Sequence, residues 1–211
     1  MGGLIAVWIL FITSPYAYAV LISIAFPLLV IIIVFFFKGL IRIDGLNESA
    51  HPLVFIAVFL PSFGLAIRAL LDYEIFDYSK VWMPIFGMAL TLVLFLIVGT
   101  KQFQFDKARD FFTTFSLFVF SVAYSYGALI TLNCYFDETV PKTYQVKVIG
   151  KRISGRKTTN YYLNLSPWGE RTKNEEVSVS KELFNKTSAK ENVTVCLNKG
   201  RFDIPWILVQ E

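Results

Sequence analysis

The sequence predicts a membrane α-helical bundle of four transmembrane helices joined to a small C-terminal β-barrel-like domain, OB-like or SH3-like. Three observations carry that prediction. Of 211 residues, 55% are hydrophobic and only 17% charged, against about 45–50% and about 25% in an average soluble domain. Four stretches with almost no charge have the length of a bilayer-spanning helix. After Cys134 the pattern alternates with the period of a strand. The same composition excludes a disordered chain and a disulfide-rich secreted miniprotein.

The first stretch, residues 3–37, has no charged side chain and is too long for one simple span. Ser14-Pro15 offers a break, with Ser as N-cap and Pro at the first helical position. The first span is therefore set at residues 16–37, with Pro27 as a kink. Residues 3–13 become a short apolar helix, lying at the interface or packed on the bundle. Ala17-Tyr18-Ala19 resembles a signal-peptidase site, but no Lys or Arg precedes the apolar run and the run continues past it. Cleavage is not expected. The other spans are 52–71, with Pro61 and Gly64 inside it, 81–99 and 111–132.

Orientation follows from Lys and Arg near the span ends. The first and third loops hold Lys38, Arg42, Lys101, Lys107 and Arg109; the second holds Lys80 beside Asp72, Glu74 and Asp77, with Arg68 close by. Loops one and three are expected in the cytoplasm, and both termini outside. Residues 1–135 carry seven basic and seven acidic groups, and residues 136–211 carry 13 and 9. The whole net charge of +4 thus belongs to the C-terminal third. A pI near 9.0 then describes one domain, and no nucleic-acid partner is expected.

In residues 136–211, Tyr144, Val146 and Val148 alternate with Gln145, Lys147 and Ile149. A turn at 153–158 and a strand from Asn160 to Leu165 complete a β-hairpin. Glu176 to Val179, Asn192 to Leu197 and Ile204 to Val209 supply three more strands, and Ser180 caps a short helix over 181–187. Five strands and one helix in about 70 residues suit a small barrel.

Some segments also carry a resemblance. Gly39-Leu40-Ile41-Arg42-Ile43-Asp44-Gly45, Arg68-Ala69-Leu70-Leu71-Asp72, and Gly200 through Ile204-Pro205-Trp206 make the chain resemble a set of uncharacterised bacterial inner-membrane proteins with four spans and a C-terminal β-domain. By architecture alone it is also similar to NfeD-like proteins, which append an OB-fold to membrane helices and work beside stomatin-like scaffolds. The resemblance implies an inner-membrane location and an architecture, and no chemistry.

Few residues suggest chemistry. The one histidine, His51, excludes a histidine triad or a multi-histidine metal site within one chain. No phosphate-cradling, zinc-protease or nucleophile-elbow motif occurs, so neither a cofactor nor a metal is expected. Cys134 and Cys196 either form one disulfide or stay buried thiols, the second being favoured. Arg68 and Asp72, four apart, read as a snorkelling membrane-polar pair more readily than as a transport site. Asp72, Glu74 and Asp77 read as a solvated acidic loop. Ser121, Ala123, Ser125 and Gly127, with Thr114 and Ala128, make a small-residue stripe for helix packing, including packing in a homo-oligomer.

Partner binding is assigned to the basic hairpin tip, Lys151, Arg152, Arg156 and Lys157, and to Trp168 and Trp206, each Trp otherwise covering a barrel end. The Asn-x-Ser/Thr matches at Asn47, Asn164, Asn185 and Asn192 are read as chance. The expected function is non-catalytic. The bundle anchors in the lipid bilayer, and the β-domain binds a protein in the membrane or periplasm, or another envelope component, as an accessory, sensor or immunity protein. A small transporter or channel subunit is the alternative.

Overall fold

The computed structural model describes residues 1–12, 14–37, 53–100, 105, 108–155 and 159–210. They form two compact units. One comprises Met1–Asp72 and Ser79–Leu132, the other Tyr73–Tyr78 and Asn133–Glu211.

The first unit is helical. Its elements are α1 (Gly2–Val7), continued by a π-helical turn Trp8–Ile12, then α2 (Tyr16–Phe36), α3 (Leu53–Asp72), α4 (Trp82–Thr100) and α5 (Ala108–Tyr135). Among the described residues, three helices are long and apolar enough to cross a membrane: Tyr16–Phe36, Trp82–Gly99 and Asp110–Tyr135. The expected cap does not form. Pro15 itself holds the cap position of α2 in an extended conformation, with no side-chain cap bond. Between the two alternatives for residues 3–13, the structure takes packing: Ile9 is fully buried and meets α3 at Gly64.

Close helix approach explains the small residues of α5. Gly127 lies against the α3 backbone, where an added Cβ would stand 2.7 Å from Ala66 N and 2.8 Å from Leu65 C. Ser121, Ser125 and Ala128 are buried and Ala123 half-buried. That stripe therefore packs the chain against itself. The Tyr124 hydroxyl donates to the Ile24 carbonyl at 2.8 Å, within the turn that Pro27 disturbs by removing an N–H and crowding the preceding carbonyls.

The second unit is a nearly closed antiparallel sheet of six strands. They are β1 (Glu74–Ile75), β2 (Lys142–Ser154), β3 (Asn160–Leu165), β4 (Glu175–Val179), β5 (Asn192–Asn198) and β6 (Trp206–Gln210), ordered β1-β6-β5-β2-β3-β4. The short helix α6 (Lys181–Lys186) joins β4 to β5; its cap Ser180 accepts from Leu183 N at 3.1 Å. β2 is longer than its alternating segment because it serves two partners. Its first half pairs with β5 and its second with β3, and the register shifts between Val148 and Gly150. Such a bulge bends the strand and lets one strand turn the corner of a barrel. The inward residues Val146, Val148, Leu163, Leu165, Val177 and Val195 form the core.

Two features depart from the sequence reading. The β-unit begins at Asn133, inside the last turn of α5. It also takes in Tyr73–Tyr78, where Glu74 pairs with Ile207 and Ile75 with Trp206. A stretch expected to be a solvated loop is thus the sixth strand of the sheet, paired to β6, with Ile75 buried at 4% exposure.

Candidate functional site

The two faces of β2 do different work, because successive side chains on a strand point oppositely. Arg152 lies across the ladder from Tyr162, which in turn pairs with Ser178 beside Glu176. Its guanidinium stands 4.7 Å over the Tyr162 ring and reaches both carboxylate oxygens of Glu176, at 2.9 and 2.6 Å. The result is an outward platform of one cation, one aromatic ring and one carboxylate, with Arg152 half exposed. Lys151 pairs instead with the buried Leu163. It donates to the carbonyls of Phe184 and Thr187 and sits over the Phe184 ring, closing the C-terminal end of α6. Lys151 therefore does not join Arg152 as a docking charge. Arg156 and Lys157 lie outside the described residues, as do His51, Asn47, Lys38 and Arg42.

Trp168 is not on a surface. It is 6% exposed, in the core, with Phe76 and Tyr144 at ring distances of 5.8 and 5.3 Å. Phe76 belongs to the segment that carries β1, so the strand from between α3 and α4 covers the indole. Arg171, bonded back to Trp168 across a tight turn, locks that segment. It donates to the Phe76 carbonyl at 2.6 Å, stands 4.1 Å over the Phe76 ring and pairs with Glu175 at 3.1 Å. Partial burial pushes the Glu74 carboxyl above its ordinary value, Glu175 pushes it further, and Arg171 opposes both. A carboxyl raised in the folded state adds stability at low pH that fades as pH rises through its folded value. Glu74→Gln is therefore expected to leave the 73–78 segment better protected than wild type at neutral pH and equal to it below the ordinary carboxylate range. Amide exchange at matched pH measures this.

A second polar group was not foreseen. Asn133, fully buried at the end of α5, donates to the Ile204 carbonyl at 2.8 Å and accepts from Phe202 N at 2.9 Å. Its own carbonyl accepts from Arg201 N at 3.0 Å. Asp137 accepts from Gly200 N and from Trp206 Nε1, each at 2.9 Å, and from Thr139. Burial alone would raise the Asp137 carboxyl; the bonds from Thr139, Trp206 and Gly200 outweigh it and hold the group below its ordinary value. Gly200 has φ +77, and a Cβ there would meet the Ile204 carbonyl at 2.2 Å and Asn133 Nδ2 at 2.5 Å. Trp206 is half-buried in this knot, edge-on to Tyr73 at 5.9 Å. Its indole N–H is spent on Asp137, which makes it a structural contact.

No protein-family model, curated protein or solved structure matches the chain. The site must be read from its own geometry.

In the helical unit, Arg68 Nε meets Asp72 Oδ2 at 2.6 Å, and the Tyr16 hydroxyl donates to the same oxygen at 2.9 Å. The pair is thus joined by the start of α2. A cavity of about 40 Å³, lined by Pro27, Ile31, Ser62, Phe120, Ser121 and Tyr124 among others, lies between the helices. It is apolar and sized for about one water. Cys134 and Cys196 are both buried free thiols, the favoured of the two alternatives. Among the described residues, no three His, Cys, Asp or Glu side chains gather as a metal site.

Proposed function

We propose that the chain is a non-catalytic integral membrane protein of four spans in a bacterial inner membrane. Its β-domain lies outside the cytoplasm and binds a protein or envelope partner in an accessory, sensor or immunity role. The helical segment Leu53–Asp72 supplies the fourth span. The topology is supported by the sheet itself. Residues 73–78 and 133–211 share one unit, so they share one side of any bilayer that α4 and α5 cross between them. Placing the positive loops in the cytoplasm puts that side outside.

The strand order supports an OB-type reading. β2 pairs with both β3 and β5, and the helix follows β4, a Greek-key connectivity suited to a five-stranded barrel with one extra strand added from between the helices. In such barrels the face of the second and third strands binds ligands. Here those strands are β3 and β4, which supply Tyr162 and Glu176 of the platform, while Arg152 comes from the neighbouring β2. That platform is the observation on which the binding role rests. A flat guanidinium held over an aromatic ring is preorganised for polar or aromatic contact, the chemistry enriched at protein interfaces.

The test is purification from the native host in mild detergent through a C-terminal tag, with mass spectrometry. A partner should co-purify reproducibly with wild type and be lost with Arg152→Glu and with Tyr162→Ala at equal protein level. Should no partner appear, and should proteoliposomes show solute or ion flux that Arg68→Ala abolishes, the transporter alternative takes its place.

A further inference from the structure

The knot at the end of α5 carries an exposed aromatic ring beside it. Phe202 is 48% exposed, although its backbone N–H is bonded to the buried Asn133. Lys199 and Asp203 close the turn around it with a 2.7 Å ion pair, and Asp203 N donates to Gly200 O. Arg201, also exposed, donates to the Phe136 carbonyl at 3.5 Å. Tyr135 is 39% exposed, and Val140, just before β2, is 91% exposed.

Helix length says what covers this turn. The apolar part of α5, Asp110–Tyr135, has 26 residues, about 39 Å at 1.5 Å per residue. The hydrocarbon layer is about 30 Å thick, with several ångströms of headgroups on each side. With Asp110 at one boundary, the turn containing Asn133 emerges in the opposite headgroup layer. The hydrogen bonds from Arg201 N and Phe202 N hold these two backbone nitrogens about 3 Å from Asn133. They must then share its depth.

We propose that the 199–203 turn is a foot on the phospholipid bilayer. The Phe202 ring enters the boundary between headgroups and acyl chains, and Lys199 and Arg201 stay at phosphate level. This division suits an aromatic ring and long cationic side chains at an interface. It rests on α5 crossing the bilayer, as proposed above.

Phe202→Cys, Lys181→Cys on α6 and Val119→Cys in the middle of α5 test it. Each is labelled with an environment-sensitive fluorophore in the full chain, in vesicles of phosphatidylcholine and phosphatidylglycerol. Cys134 and Cys196 are buried, so native labelling spares them. The Phe202 label is expected to be quenched several-fold more by shallow spin-labelled lipid than the Lys181 label, and less than it by aqueous iodide. Equal behaviour at 202 and 181 overturns the proposal. So does shielding of the 202 label from both quenchers, which would mean that protein covers it. The Val119 label reports separately on the span: quenching there by deep spin-labelled lipid keeps the membrane reading even where the foot fails, and quenching by iodide removes that reading itself.

Discussion

Replacing Asn133 by leucine is expected to be among the most damaging single changes in the β-unit. The side chain is fully buried and satisfies two backbone groups, the Ile204 carbonyl and the Phe202 N–H. Leucine has the same branched outline and pairs with neither. Each buried polar group left without a partner costs about 1–3 kcal/mol, so the loss of both should reach about 2–6 kcal/mol. Asn133→Asp keeps an acceptor for Phe202 N but sets a buried carboxylate against the Ile204 carbonyl, and should cost at least as much. The buried thiols give the measurement. Heating the detergent-solubilised protein with a thiol-reactive dye should expose Cys134 and Cys196 at a distinctly lower temperature in the leucine variant. An unchanged transition would show that the knot contributes little.

Gly127→Ala should also destabilise, against the usual sign. Within a helix, alanine is ordinarily favoured over glycine by about 1 kcal/mol. Here the new Cβ would stand 2.7–3.0 Å from backbone atoms of Leu65 and Ala66. Backbone cannot yield as a side chain does, so α3 and α5 must separate. Overpacking of this kind typically costs about 1–3 kcal/mol, which exceeds the propensity gain. Gly87→Ala is the control, since a Cβ there meets nothing within 4 Å. The same thiol-exposure assay should show a lower transition for the first variant and an equal or higher one for the second. Stabilisation of both would mean that the close approach is not limiting.

The hydrophobic segments, the change of period after Cys134 and the Ser180 cap were legible because each is a local pattern. What escaped the sequence depends on distant partners. Glu74-Ile75 is too short to show alternation, and its pairing partner lies about 130 residues further on. Trp168 in Ser-Pro-Trp-Gly fits a binding face and a barrel-end cover equally well, because Phe76, which packs on it, belongs to the segment of that same unseen strand. Asn133 and Asp137 read as ordinary polar residues at a helix end. Their roles appear only once the Ile204 carbonyl and the backbone N–H groups of Gly200 and Phe202 arrive beside them. Lys151 and Arg152 are neighbours in one basic run, and strand alternation assigns them opposite tasks. The glycine at 127 was read as a packing residue from its spacing; its facing backbone, Leu65–Ala66, was not readable.

The sixth strand also sets a schedule for making the protein. Glu74 is synthesised long before its partner Ile207. At about 5–20 residues per second the ribosome needs on the order of ten seconds to supply it. Throughout that interval the 73–78 segment has no strand to join, while α4 and α5 are inserted. The sheet can close only when β6, ending at Gln210, has been made. Without β6 the 73–78 segment has no place in the sheet, so the stretch between α3 and α4 and the last strand become structured together, late in synthesis.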